Sequence, residues 1–490
     1  MRRLICTLLV LATAPAVQAQ APTSGPVLTL DEAIRLAVRN NPQYLQSGSN
    51  RTRAAAALRT ATGQLLPSVR TSFGSSYREG RQQFFAGQAF GSTSDVLSSS
   101  ADLGVDLAIS AASLMARKQQ RANLDAAESD MTSAEATLRA NVITQYLNVL
   151  QAQARASLQD TLLRSTQAQL ELARARQQVG AATTLDVRRA EVAVGQQQVA
   201  VLRERNAVEV EKLRLFQQLG VEQPAGVTLS SEFTIREPTL QLESLLQQAR
   251  TSNPSLGALR SRERASEVGV ASARSAYFPS LSLSSGVSGF SQQLRNIDGS
   301  ISDMRAATLA QQRSCLTQDS LRVGAGLPSI LQQCSAIAFT DAQASAMRDA
   351  NAQFPFKMTR SPLQLSAQLS LPIFDGFTRE QRIQEATASR NDARYRVREQ
   401  ELKLTADVTS AYRNLVTAYQ TVRLQEQNAV AAREALALAQ ERFRVGANTF
   451  VDVTQARGDY ERAETERINA IYDFHKAFAA LEAAVGRPLR

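Results

Sequence analysis

Four segments of the chain alternate between apolar and polar residues. The clearest runs from Leu363 to Leu371, where every odd position is apolar and every even position is polar. A second runs from Ala101 to Ile109, and weaker cases follow Leu281 and Val69. A period of two residues is typical of a strand with one buried face. The pattern predicts four strands, at residues 66–77, 100–110, 278–290 and 361–373.

Long stretches without glycine or proline follow the second and fourth strands. Residues 111–179 and 377–445 comprise 69 residues each, and at ~1.5 Å per residue each would span ~100 Å as one helix. Apolar residues recur there at three- and four-residue spacing, as in Val142, Tyr146 and Val149, which is typical of a helix packed along a partner helix. Further helices are predicted at 30–39, 43–64, 184–219, 240–252, 255–276 and 451–485.

The sequence is internally duplicated. The Asn-Pro pair at 41–42 recurs 212 positions later, and the Val-Gly turn that begins at Val179 recurs 266 positions later at Val445. The second copy therefore carries 54 additional residues, between Pro279 and Leu371. We predict two repeats, at 20–229 and 230–490, with long hairpins at 111–219 and 377–485 and a surface loop at 291–360.

Residues 1–19 have the pattern of a cleaved export signal. Arg2 and Arg3 precede an apolar run from Leu4, and small residues follow up to Ala19. A membrane anchor is the alternative, but the run is about half the ~20 residues that a spanning helix needs. The pattern therefore predicts an exported mature chain.

Charge adds little to this picture. The net charge of +10 becomes +8 without the signal, which contains two arginines and no acids. The remaining arginines are interleaved with acids and glutamines, as in Arg174-Ala-Arg176 and Arg203-Glu-Arg205, a pattern typical of solvated helix faces. We therefore expect no nucleic-acid partner.

The mature chain has two cysteines, Cys315 and Cys334, and both lie in the insertion. In an oxidising compartment they are expected to form a disulfide that closes part of the long loop. Two reduced thiols without a role are the alternative.

No constellation for catalysis or for a cofactor is present in the sequence. The single histidine, His475, is not part of a recognisable catalytic motif in the sequence, and the cysteine and histidine counts exclude a conventional zinc cluster. The serines lack the setting of a nucleophile elbow. We therefore expect a protein that is not an enzyme and binds no metal or cofactor.

The four predicted strands are too few to form a closed membrane barrel. Their polar faces carry Asp102, Asp106 and Gln364, which suit a water-filled lumen. Strands in lipid cannot leave unpaired edges, and single-chain barrels begin at eight strands. The chain is therefore expected to contribute part of a barrel that several copies share.

The chain resembles the TolC-like outer membrane factors, which are exit ducts of Gram-negative efflux pumps and type I secretion systems. The resemblance rests on the two Val-Gly-x5-Asp-Val turns, on the Asn-Pro after each opening helix, and on the Leu-Pro-Ile-Phe-Asp-Gly at 371–376. It implies a mainly α-helical homotrimer whose twelve strands close one outer-membrane β-barrel. Its long hairpins would form a periplasmic α-barrel.

The resemblance also assigns roles to residues at the hairpin ends. It implies that the two turns meet a periplasmic adaptor, which couples the duct to an inner-membrane transporter of the RND or ABC type. The turn residues are Val179, Gly180, Ala181, Ala182, Thr183, Val445, Gly446, Ala447, Asn448 and Thr449.

A ring of carboxylates at the periplasmic gate is implied for Asp452, with Gln455 where some relatives carry a second acid. A helix N-cap is an equally open interpretation of Asp452. Capping is the favoured interpretation of its repeat-mate Asp186.

Two other functions remain open from the sequence. A protein-secretion duct would share the fold and differ in its cargo. A periplasmic coiled-coil adaptor would share the hairpins, but it would lack the four alternating strands.

Overall fold

The computed structural model describes residues 27–80, 82–86, 88–92, 94–230 and 233–489. The predicted export signal lies outside the described residues. The α-helices are α1 Leu30–Asn40, α2 Pro42–Gly63, α3 Ala111–Gln178, α4 Thr184–Leu219, α5 Leu242–Ser252, α6 Pro254–Arg274, α7 Ile297–Gly324, α8 Leu331–Ser335, α9 Asp341–Asn351, α10 Thr378–Arg444 and α11 Phe450–Val485. The strands are β1 Val27–Leu28, β2 Ser68–Arg78, β3 Gln82–Phe85, β4 Gln88–Ser92, β5 Val96–Ser110, β6 Thr228–Leu229, β7 Ser280–Leu294, β8 Thr359–Arg360 and β9 Gln364–Ser370.

The chain divides into two compact units. One comprises residues 1–55, 122–267 and 388–490, and the other comprises residues 56–121 and 268–387. The first contains most of the helices, and the second contains the main sheet and the insertion. None of the helices formed by the described residues combines the length and the apolar character needed to cross a lipid bilayer.

The first unit is built from two long helical hairpins of matched size. The outgoing helices α3 and α10 have 68 and 67 residues, and the return helices α4 and α11 have 36 each. The side chains of Val142, Tyr146 and Val149 are fully buried, as their spacing predicts. The Tyr146 hydroxyl lies 2.8 Å from the Leu28 carbonyl oxygen and 2.9 Å from that of Ser230, and its one proton is shared between them. It thereby joins the parallel β1–β6 pair to α3.

The repeated Asn-Pro pair ties each short helix pair to the end of a return helix. The Asn41 side chain accepts a hydrogen bond from the Tyr44 amide at 3.0 Å and donates one to the Gln218 carbonyl at 2.7 Å. Its repeat-mate Asn253 does the same with Leu256 and Ala484. The asparagine thus begins one helix and satisfies a terminal carbonyl of another.

Each of these junctions also requires a glycine. Gly220 ends α4 in the left-handed conformation, with φ +74°, and a Cβ there would lie 2.4 Å from the Asn40 carbonyl oxygen. Gly486 ends α11 in the same way, with a Cβ position 2.7 Å from the Asn253 Cα. Both glycines therefore allow a close approach of two backbones that any side chain would block.

Gly220→Ala is expected to destabilise the folded protein by more than about 2 kcal/mol, because backbone atoms must move to admit the methyl group. The measurement is the thermal unfolding midpoint of the purified protein, followed by circular dichroism. Gly195→Ala is the matched control, since Gly195 lies exposed within α4 and has nothing within 4 Å of its Cβ position. An equal decrease of the unfolding midpoint in both variants would contradict the explanation.

The second unit holds a sheet with the order β2-β5-β7, in which β7 also pairs with β8 and β9. All of its pairings are antiparallel. The four predicted strands correspond to β2, β5, β7 and β9. The fourth is shorter than expected, at 364–370, and it lies between Pro362 and Pro372, which have no amide hydrogen to donate to a ladder.

The insertion is mostly helical, which differs from the surface loop that the sequence predicted. It contains α7, α8 and α9, of 28, 5 and 11 residues. A disulfide joins Cys315 on α7 to Cys334 on α8, with the Cα atoms 5.4 Å apart. The buried Asp319 carboxylate accepts hydrogen bonds from the Ser329 hydroxyl and the Ile330 amide. These bonds hold the α7–α8 connection against α7.

Candidate functional site

The main sheet has one apolar face that the chain itself leaves largely uncovered. The register pairs Leu107 with Leu283 and Leu283 with Ala367, so that odd-numbered residues of β5, β7 and β9 share a side. The larger apolar side chains on this face are Val69, Phe73, Leu103, Val105, Leu107, Ile109, Leu281, Leu283, Val287, Leu365 and Leu369. Leu365 is 80% exposed and Leu369 is 72% exposed. Such a contiguous apolar surface marks an interaction with a partner or a membrane.

The opposite face of the same sheet is polar. Arg70 and Asp106 form an ion pair at 2.9 Å, and the Ser72 hydroxyl donates to the Asp102 carboxylate at 3.1 Å. On β7 and β9, Ser284 and Ser366 share a hydrogen bond of 2.6 Å, beside Gln364 and Gln368. This face suits contact with water.

Both ends of this sheet are open. Among the described strands, β2 pairs only with β5, and β9 pairs only with β7. The outer backbone groups of β2 and β9 therefore have no strand partner among the residues that the structure describes. Unpaired edges beside an apolar face favour pairing with further strands.

Arg379 orders the segment that leads from β9 into α10. Its guanidinium donates to the Asp375 carboxylate at 2.9 Å and to the carbonyls of Pro372 and Ile373 at 2.8 and 3.1 Å. It also lies 4.5 Å from the centre of the Tyr277 ring. The Leu-Pro-Ile-Phe-Asp-Gly motif is thus a turn that wraps one buried arginine.

The two predicted turns lie at corresponding ends of the hairpins. Residues 179–183 connect α3 to α4, and residues 445–449 connect α10 to α11. Gly180 and Gly446 adopt φ angles of +76° and +82°. The amides of Ala181 and Ala447 then donate to carbonyls five residues back, each at 2.8 Å. Both turns are therefore glycine-dependent helix ends of the same type.

A capping box begins the return helix after each turn. The N-cap residues are Thr183 and Thr449, and the aspartates lie three positions later. The Asp452 carboxylate accepts from the Thr449 amide and hydroxyl, both at 2.8 Å, and Asp186 does the same with Thr183. Each aspartate therefore takes part in capping its helix, but as the third helical residue of a capping box and not as the N-cap residue, which is threonine.

These hydrogen bonds lower the pKa of both aspartates. For Asp452 the largest cause is the Thr449 amide, and for Asp186 it is the Thr183 hydroxyl. A lowered pKa means that the ionised cap stabilises the protein at neutral pH and that this contribution is lost as the pH falls through the lowered value. Both carboxylates are thus ionised under physiological conditions.

The other predicted gate residue, Gln455, is exposed on α11. Its amide donates to the carboxylate of Asp459 at 3.3 Å, one helical turn further on. The sequence pattern did not single out Asp459, although its spacing of seven residues places it on the same helix face as Asp452.

Arg176 joins the two turns and was missed by the sequence analysis. It donates to the Phe443 carbonyl at 2.7 Å, and its guanidinium carbon lies 4.8 Å from the centre of the Phe443 ring. Beside it, Phe450 of the second hairpin packs among Leu170, Ala173 and other apolar residues of the first. Arg176 is therefore not part of a solvated face, because it faces a residue that lies 267 positions away.

The remaining candidate residue, His475, is buried on α11. Its ring centre lies 5.3 Å from that of Phe233 and 5.4 Å from that of Phe474. The part of the chain that the structure describes contains no group of three or more His, Cys, Asp and Glu residues suited to hold a metal ion. His475 is thus a packed residue of the helical unit.

Known proteins match this architecture along nearly its whole length. CusC has a TM-score of 0.69 at 15% identity, with 96% of both chains covered. The CmeC outer membrane channel of Campylobacter jejuni has a TM-score of 0.69 at 16% identity, with 93% of this chain and 85% of that chain covered. The MtrE outer membrane channel of Neisseria gonorrhoeae, in its open state, has a TM-score of 0.66 at 16% identity, with 94% and 89% covered. At these identities the likeness shows the fold.

A family model supplies the stronger finding. The model described as outer membrane efflux protein matches residues 33–221 and 339–487, which together make up well over half of the chain. The resemblance to the TolC-like outer membrane factors is therefore confirmed. The chain belongs to the outer membrane efflux protein family, whose members are transport channels of the Gram-negative outer membrane that extend into the periplasm, not enzymes.

Proposed function

We propose that this protein is the exit duct of a tripartite efflux system. It passively conducts drugs and other small toxic compounds that a periplasmic adaptor and an inner-membrane pump deliver. The observation that carries the proposal is the sheet, which has one exposed apolar face, one polar face and two open edges. A sheet of this kind is stable in lipid only when further strands close it.

Closure by identical copies gives a definite oligomer. With β2, β5, β7 and β9 from each of three copies, twelve strands form a barrel within the range of outer-membrane proteins. The edge of β2 in one copy then pairs with the edge of β9 in the next. The apolar face meets lipid, and the face with Arg70 and Asp106 lines the lumen.

The long hairpins form the periplasmic part of the proposed duct. At ~1.5 Å per residue the 68 residues of α3 span about 100 Å. The two turns, at 179–183 and 445–449, meet the hairpins of the adaptor. In the trimer Asp452 contributes three carboxylates to a periplasmic gate, with Gln455 and Asp459 in the next turns of the same helix.

The pump is an inner-membrane transporter of the RND or ABC type, and the duct itself contributes no chemistry. A type I secretion duct has the same architecture, because the choice of cargo rests mostly with the inner-membrane partner. An adaptor function is disfavoured because it gives no role to the exposed apolar sheet.

Deletion of the gene from its source bacterium tests the proposal. The deletion strain is expected to accumulate a fluorescent cationic dye several-fold above wild type, and the plasmid-borne gene should restore export. Unchanged dye levels together with loss of a secreted protein would favour the secretion duct instead.

Complementation with Gly446→Val tests the turn in the same assay. The strained φ of +82° at this position disfavours any β-branched residue, so we expect normal trimers in the outer membrane but failure to restore dye export. Gly195→Val is the control, since it lies within α4, away from both turns. Full export by the Gly446→Val strain with intact adaptor crosslinking would contradict the assigned contact.

A further inference from the structure

The apolar face of the sheet ends at a row that contains a positive charge. The register places Phe73 opposite Ala101, Ala101 opposite Gly289 and Gly289 opposite Arg360. Arg360 is exposed and shares this side of the sheet with the apolar residues below it. In the described strands between this row and Ile109, no residue on this face is charged. This row therefore marks the level at which the apolar face of the sheet ends.

The segment 354–358, which we call the strap, leaves the insertion and packs on this same face. The Pro355 carbonyl accepts a hydrogen bond of 2.5 Å from Ser99. The Ser99 hydroxyl also contacts that of Ser291 at 2.8 Å, and both serines are fully buried. The strap therefore covers Ser99 and Ser291, which form the next row of the sheet after Gly289. It lies on the apolar face of the sheet and not on the polar face.

Two side chains of the strap are exposed, and one of them contacts the same row of the sheet that contains Arg360. The Phe356 ring stacks on that of Phe73 with centroids 6.3 Å apart, yet Phe356 remains 79% exposed. Lys357 is exposed as well. An exposed aromatic ring and two cations thus lie at the edge of a large apolar surface.

We propose that the strap and Arg360 bind the phosphorylated headgroups of the outer leaflet, which rests on the proposed membrane function of the sheet. Aromatic residues concentrate where lipid meets water, since one part of the ring is in acyl chains and another faces the polar region. A cation on a lipid-facing wall is costly at the midplane and nearly free near the interface. Lys357 and Arg360 there face lipid phosphates, which attract basic side chains.

The height of the wall agrees with this assignment. Leu369 pairs with Leu281, and Leu371, 58% exposed, continues the apolar alternation two residues later, at the opposite end of this face. That end lies ten residues from Gly289, which is ~34 Å along the strand at ~3.4 Å per residue, and a tilt of about 40° reduces this to ~26 Å of height. Outer-membrane barrels carry an apolar band about 25 Å tall between two aromatic girdles. The apolar face thus has the height of such a band, with Phe356 at one boundary.

A single tryptophan tests the location of the strap, because the chain has no tryptophan of its own. Phe356→Trp, Leu283→Trp and Leu321→Trp are each reconstituted into phosphatidylcholine vesicles that contain a nitroxide either at the headgroup or in mid-chain. Phe356→Trp is expected to be quenched several-fold more by the headgroup label. Leu283→Trp should show the reverse preference, and Leu321→Trp, on exposed α7, should be quenched by aqueous iodide alone.

Lipid A in the vesicles tests the phosphate contact. We expect it to shift the Phe356→Trp emission to the blue, and we expect Lys357→Gln with Arg360→Gln to abolish the shift. Free inorganic phosphate should have no effect, and a response to it alone would overturn the assignment to lipid.

The control variants distinguish an error in the strap proposal from an error in the proposed function as a duct. If Leu283→Trp is quenched in mid-chain while Phe356→Trp behaves like Leu321→Trp, the strap proposal is wrong and the duct remains. If neither nitroxide label quenches Leu283→Trp, the proposal that the apolar face of the sheet lies in the membrane is wrong.

Discussion

Leu283→Arg is expected to abolish assembly of the protein in the outer membrane, whereas Ser284→Arg is expected to leave it intact. Leu283 lies at mid-height on the apolar face, opposite Leu107 and Ala367. An arginine at the bilayer midplane costs ~2–4 kcal/mol per copy, or roughly 6–12 kcal/mol for a trimer. That is comparable to the entire free energy of unfolding of a typical domain.

The neighbouring residue gives a control of the same size and charge on the other face. Ser284 lies opposite Asp106, so an arginine there meets water and a carboxylate. The measurement is the amount of heat-modifiable trimer in the outer membrane fraction. Equal assembly of both variants would mean that the apolar face does not contact lipid. The proposed twelve-stranded barrel would then be wrong.

The elements that the sequence predicted are those whose periodicity extends over many residues. Each half of the long hairpins repeats an apolar spacing over nine or more turns, and β5, β7 and β9 repeat a period of two. The β1–β6 pair has two residues in each strand, which is too short to show a period. The insertion has no counterpart in the first repeat, and its α7 helix is largely solvent-exposed, so no apolar stripe revealed it.

The contacts that the sequence did not predict join residues distant in the chain. In the sequence, Arg176 is one member of an interleaved charge pattern. Only the folded structure places it in contact with Phe443. The same holds for Asn41 and Gln218, which are 177 positions apart. The capping boxes were also not predicted, although the threonine three residues before each aspartate is visible in the sequence and is sufficient to indicate this geometry.

Because the chain is internally duplicated, one experiment can distinguish a gate role of Asp452 from a capping role. Asp186 and Asp452 complete equivalent boxes, with the same hydrogen bonds and the same direction of pKa shift. We expect Asp452→Ala to increase the single-channel conductance in planar bilayers several-fold and to weaken selectivity for cations, because three carboxylates leave the constriction. Asp186→Ala removes an equivalent cap and should leave conductance unchanged.

The pH dependence follows from the same hydrogen bonds. Because the pKa of Asp452 is lowered, its charge persists throughout the range above about pH 5, and cation selectivity of the wild type should be constant there. Protonation begins only at lower pH, where the cap and the proposed ring are lost together. If Asp186→Ala and Asp452→Ala raise conductance equally, the effect belongs to fraying of the helix ends. Asp452 would then be a cap alone, and the constriction would have to lie elsewhere along the duct.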